Sequence, residues 1–127
     1  MRNTLNNKVI ENAKNAINIE IKGIEELLKN LDVNFCDVVE AILQTKGKVV
    51  VSGMGKSGII GAKIAATFSS TGTSSFFMHP AEAFHGDLGM VDKNDILLML
   101  SCSGETEEII RLLPYAKENG IFVASIT

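Results

Sequence analysis

The chain has 127 residues, enough for one domain with a real core and too few for several. An apolar fraction of 46% with 21% charged residues excludes a disordered chain, and a net charge of −3 without any run of one sign excludes a surface built for duplex nucleic acid or an anionic bilayer. No apolar stretch approaches the ~20 residues of a membrane span, and the amphipathic N-terminus is not a signal peptide, so the expectation is a cytoplasmic protein without a membrane or nucleic-acid partner.

In chain order, Leu5, Val9, Ala13, Ala16, Ile17, Ile24, Leu27, Leu28 and Leu31 recur mostly at steps of three and four and predict a long helix, weakened slightly at Gly23. Asp32 to Asn34 interrupts the pattern. With Asn34 as a cap, Phe35, Val38, Val39, Ile42 and Leu43 predict a second helix ending near Lys46-Gly47. Residues 1–47 therefore read as a helical hairpin of the same domain, and 48–127 as the part that carries the site. Val49-Val50-Val51, cut off by Gly53 and Gly55, predicts a strand buried on both faces, followed by a helix from about Ser57 to Ser70. Ser75 to Met78 is a second strand, ended by His79-Pro80, and Asp95 to Ser101 a third. One helix is expected from Thr106 to about Glu118, turning Ile109, Ile110, Leu112, Leu113 and Ala116 inward and stopped by Asn119-Gly120. Ile121 to Ile126 is the fourth strand. Strands separated by helices at this spacing need crossovers, hence an open parallel α/β sheet with ligands at its carboxyl edge.

Three strand ends carry chemistry. Gly53-Met54-Gly55-Lys56-Ser57-Gly58 satisfies G-x-G-x-x-G between a strand and a helix, where glycines admit a phosphate and free amides attract it. A dinucleotide would need an acidic residue closing the second strand, which ends in Met78-His79 instead, and a P-loop would need glycine where Val50 stands. A turn that only packs helix on strand remains open. Ser101-Cys102-Ser103-Gly104-Glu105-Thr106 offers hydroxyls and amides sized for a phosphate monoester, or ordinary N-capping by Ser103. Glu108 follows, where a carboxylate also steadies a helix start without any catalytic task. The loop from His79 to Gly89 holds both histidines, His79 and His85, and suits proton transfer, hydroxyl recognition, a weak metal site or a hydrogen-bonded scaffold equally. Cys36 and Cys102 lack any CxxC or metal-type spacing and read as reduced thiols, with Cys102 better explained as a small filler than as a nucleophile.

Together Gly53-Met54-Gly55-Lys56-Ser57-Gly58, Ser69-Ser70-Thr71-Gly72-Thr73, Phe76-Phe77-Met78-His79-Pro80, His85-Gly86-Asp87-Leu88-Gly89-Met90 and Ser103-Gly104-Glu105 resemble the arabinose-5-phosphate isomerase family, a sugar isomerase (SIS) domain of the capsule-expression and glucitol-operon type. The resemblance runs from about Val49 to Thr127; the N-terminal helices match only in kind. It implies a flavodoxin-like three-layer sandwich, an open five-stranded parallel sheet between helices, and interconversion of ribulose 5-phosphate and arabinose 5-phosphate toward the Kdo sugar of lipopolysaccharide. By position it implies Lys56 and Glu108 as catalytic residues. It implies Ser57, Gly72, Thr73, His79, His85, Ser101, Ser103 and Thr106 as contacts to substrate or its phosphate. No cofactor is required in that family; zinc is inhibitory, and His79 is its implied ligand. A homo-oligomer, dimer or tetramer, is the implied assembly, with the phosphorylated sugar as partner. A further catalytic glutamate and histidine, and the fifth strand, would lie beyond Thr127, so the chain reads as a C-terminally truncated domain with Ile121, Val123 and Ile126 on an uncovered edge. The second residue of Ser-x-Ser-Gly is often an amide in relatives and is Cys102 here. The alternatives from other classes are a non-catalytic sugar-phosphate sensor and an isomerase of another phosphosugar.

Overall fold

Val49-Val50-Val51 has no polar face to turn outward, and in the computed structural model, which describes residues 2–127 and side chains from residue 5 on, all three are at 0% exposure inside a parallel sheet. Two helices precede that sheet: α1 (Arg2–Asn30) and α2 (Val33–Gln44). The break between them is capped by Asp32, not by Asn34 as expected: the Asp32 carboxylate accepts the backbone N–H of Asn34 at 2.9 Å, the geometry of a residue just before a helix. The chain forms two compact units, the first running to Asp37 and the second from Val38 to Thr127. Within the first, α1 keeps the predicted apolar stripe, and Leu5, Val9, Ile17, Ile24, Leu27 and Leu28 are all exposed.

The second unit is built on β1 (Val49–Gly53), β2 (Ser75–Met78), β3 (Ile96–Leu100) and β4 (Phe122–Ile126), all parallel, in the order β2-β1-β3-β4. Alternation along these strands makes two cores. Val49, Val51, Leu98 and Leu100 face α3 (Gly55–Ser70) and the Val38–Ile42 part of α2, whereas Val50, Leu97 and Met99 face α5 (Glu107–Ile110) and α6 (Leu112–Glu118). The result is three layers, an α/β fold with an open parallel sheet, as the spacing of strands and helices predicts.

The single helix expected over 106–118 is divided at Arg111 into α5 and α6. Pro114 has no N–H to give the carbonyl four residues back, so the ladder is interrupted in that turn. Ile109, Leu112 and Ala116 are buried as expected, but Ile110 and Leu113 are exposed. Ile121 is also corrected: it packs in the core beneath α6, while Phe122 and Ile126 are the exposed apolar residues of β4. The His79–Gly89 loop contains a one-turn helix, α4 (Pro80–Ala83), and a 3-10 turn over Asp87–Met90.

At the amino edge of the sheet the buried Asp95 carboxylate accepts the backbone N–H groups of Lys48 at 2.7 Å and Asp92 at 2.8 Å, tying the starts of β1 and β3 together. At the carboxyl edge α3 is pressed against β1, because a Cβ on Gly58 would come within 2.5 Å of the Gly53 carbonyl oxygen. Gly58→Ala is therefore expected to lower unfolding free energy by about 1–3 kcal/mol in urea titration. Gly23→Ala, in α1 with open space around it, is expected to raise helix stability by about 0.5–1 kcal/mol, read by thermal unfolding in far-UV circular dichroism. Asp95→Ala strands two amides and is expected to cost about 3 kcal/mol by the same denaturation.

Candidate active site

The chain leaves β1 into α3 on one face of the sheet and leaves the neighbouring β3 into α5 on the other. Two adjacent strands whose crossovers part in this way open a crevice between their carboxyl ends. A cleft of about 290 Å³ lies there, lined by Lys56, Ser57 and Ile60 of α3, Leu100, Ser101 and Cys102 at the end of β3, and Ile126 and Thr127 at the end of β4.

On the α3 side, Gly55 turns the chain with φ +54°, and the residue before the helix is Met54, whose side chain makes no capping hydrogen bond. The first-turn amides of α3 are left for a ligand to satisfy. Lys56 is exposed at the cleft, and no acidic side chain pairs with it among the described residues.

On the β3 side, the loop is braced from within. Ser101 is buried, its backbone N–H donates to the Ile126 carbonyl at 3.0 Å, and its hydroxyl shares a 2.9 Å hydrogen bond with that of Thr106. Gly104, at φ +69°, returns its N–H to the Ser101 carbonyl at 3.2 Å. Ser103 accepts the N–H of Glu105 at 3.2 Å, so its hydroxyl closes a turn inside the loop and does not cap α5. The amides of Cys102, Ser103 and Thr106 have no acceptor among the described residues. Of this loop Ser101 and Cys102 line the cleft, opposite Lys56 and Ser57, whereas Ser103 and Thr106 are not among its lining residues.

Glu108 is half-buried in the first turn of α5. His79 ends β2 at the same edge of the sheet; its Nδ1 accepts the Ala81 N–H at 3.3 Å, so the neutral ring carries its proton on Nε2. The ring also meets Phe77 edge-on at 6.4 Å. His85 is exposed on the following turn.

Gly72 and Thr73 stand elsewhere. They terminate α3: the Gly72 N–H reaches the Ser69 carbonyl, the Thr73 N–H donates to the Phe68 carbonyl at 2.9 Å, and Gly72 has φ +99°. They precede β2, and so lie at the amino edge of the sheet, about 10 Å of strand away from the cleft side. One chain does not bring them to Lys56. Nor does it gather a metal site, since among the described residues no three His, Cys, Asp or Glu side chains converge. A zinc ion at His79 would need ligands from beyond these residues.

The SIS domain profile matches residues 42–127. The chain belongs to the SIS domain family. This SIS domain is similar to an Escherichia coli CFT073 protein solved in complex with arabinose 5-phosphate, with a TM-score of 0.88 and 46% identity over 94% of this chain and 64% of that one. It is 52% identical to arabinose 5-phosphate isomerase KdsD of Pseudomonas aeruginosa over 118 residues, 93% of this chain and 36% of the relative. It is 46% identical to arabinose 5-phosphate isomerase KpsF of Escherichia coli O6:H1 over 125 residues, 98% of this chain and 38% of the relative. The SIS domain chain thus spans less than two fifths of the length of these curated relatives.

Leu100, Ile126 and Thr127 line the cleft without having been expected there; they are apolar or terminal residues with no motif, and only strand order brings them in. The hydroxyl pair of the loop has a direct test. Thr106→Val leaves the buried Ser101 hydroxyl without its partner and is expected to cost about 1–3 kcal/mol in urea unfolding, whereas Thr106→Ser keeps the bond and stays near the parent.

Proposed function

We propose that this SIS domain is the sugar-phosphate-binding part of an aldose–ketose isomerase that interconverts ribulose 5-phosphate and arabinose 5-phosphate through an enediolate. The observation that carries this reading is the cleft itself, where Lys56 and Ser57 stand opposite Ser101 and Cys102 across the crevice of two opposed crossovers. Similarity to arabinose 5-phosphate isomerases KdsD and KpsF supports the substrate.

The phosphate sits against Ser57, Ser101, Ser103 and Thr106, which hold the sugar so that its C1–C2 end is oriented for proton transfer. A base takes a proton from C1 of the ketose, the C–H pair becomes the C1–C2 double bond, and the carbonyl pair moves onto O2. Lys56 stabilises that oxyanion through its ammonium group. Protonation at C2, with loss of the O1 proton and gain of one at O2, gives the aldose. Glu108 orients the hydroxyls and exchanges protons with them. No residue of this chain is assigned as the base on carbon. His79 and His85 contact the sugar, and Gly72 and Thr73, being at the other edge of the sheet, reach a substrate only from a second copy. A homo-oligomer fits that division and the exposed apolar stripe of α1. The reaction needs no cofactor, zinc at His79 acts as an inhibitor, and the setting is cytoplasmic and feeds Kdo and lipopolysaccharide synthesis.

The test has a binding arm and a turnover arm. Arabinose 5-phosphate is expected to raise the melting temperature of the chain and to slow alkylation of Cys102, which lines the cleft, while leaving Cys36 unaffected; both thiols are free and exposed. Equal labelling of Cys102 with and without ligand rules out this cleft. In a longer form that turns over ribulose 5-phosphate, Lys56→Met is expected to lower kcat by about 10²–10³-fold. A loss under threefold removes Lys56 from the mechanism, and stabilisation without any turnover identifies a sensor instead.

A further inference from the structure

Both histidines ride on the excursion between β2 and β3, and two hydroxyls from other elements hold that excursion on either side of them. At the start stands Ser52. It is the polar residue of an otherwise apolar strand, is 0% exposed, and donates its Oγ–H to the Met78 carbonyl at 2.8 Å. The pairing of β1 with β2 ends at that same pair, Ser52 with Met78, and the next residue is His79. Further on, the half-buried Tyr115 of α6 donates its phenol O–H to the Leu88 carbonyl at 3.1 Å, three residues past His85. The Arg111 guanidinium lies 5.7 Å from the centre of the Phe84 ring, immediately before His85.

Neither hydroxyl is needed for packing. Alanine would fill the strand position of Ser52 without a polar atom to bury, and phenylalanine would pack in α6 as Tyr115 does. Each instead fixes a carbonyl that bounds the histidine segment. We infer that Ser52 and Tyr115 are positioning residues, which set the stance of His79 and His85 from β1 and from the helix pair that carries Glu108. Through Ser52 the strand leading into the lysine loop also anchors His79; through Tyr115 the helices behind the serine loop also anchor His85. The effect on ligand binding rests on the sugar-phosphate reading, while the placement of the rings does not.

Ser52→Ala and Tyr115→Phe remove one oxygen each, and Thr67→Val removes the hydroxyl bonded to Lys63 on α3 as a control. Ring spectra of the two histidines are recorded by NMR in the free chain, followed by arabinose 5-phosphate titration and thermal unfolding. The expected result is a shift of the His79 ring signals in Ser52→Ala and of His85 in Tyr115→Phe. Affinity should be weakened about tenfold and melting lowered by only a few degrees, with the control unchanged in all three. Ring signals unmoved in both variants overturn the inference, as does an affinity within twofold of the parent in both. If the parent chain binds no arabinose 5-phosphate, it is the functional reading that fails, and the ring spectra alone decide between positioning and packing.

Discussion

Helix α3 lies against β1 at a separation that side chains forbid. A Cβ at Gly58 would collide with the Gly53 carbonyl, and one at Gly61 would press on Phe77 and Val51 at 3.1–3.3 Å. That contact sets the first turn of α3 directly over the end of β1, and so decides where Lys56, Ser57 and the uncapped amides stand. The glycine motif is thus a packing device, and the same contact sets which residues of α3 line the cleft.

The second wall depends on the first only through topology. Because β3 pairs with β1 and sends its helix to the opposite face, the serine loop opens beside the glycine loop with nothing between them. The loop holds its shape from within, by the Ser101–Thr106 hydroxyl pair and the turn at Gly104, so its free amides are available without a helix of any length behind them. The histidine segment is held by a different principle, hydrogen bonds to its carbonyls from neighbouring elements, and among the described residues only Nδ1 of His79 has a hydrogen-bond partner on either ring.

Much of this was legible in the residues. Short apolar runs located every strand and steps of three and four located the long helices, and glycine and proline located their ends, because local backbone preference and burial point the same way there. The failures have local causes of their own. Asp32 took the capping role expected of Asn34 because it stands one residue outside the helix. Pro114 divided a helix whose apolar spacing alone looked continuous, leaving Ile110 and Leu113 exposed.

The sequence by itself determined the α/β class, the parallel sheet, the glycine and serine loops at the strand ends and the family, since each is written in residues close together in the chain. It could not say which loops would share a cleft, that Ser52 and Tyr115 would hold the histidine segment, or that Gly72 and Thr73 would end α3 at the far edge of the sheet. Those are matters of strand order and of which side of the sheet each crossover takes. They are settled by long-range pairing between residues dozens of positions apart, which only the folded chain brings together.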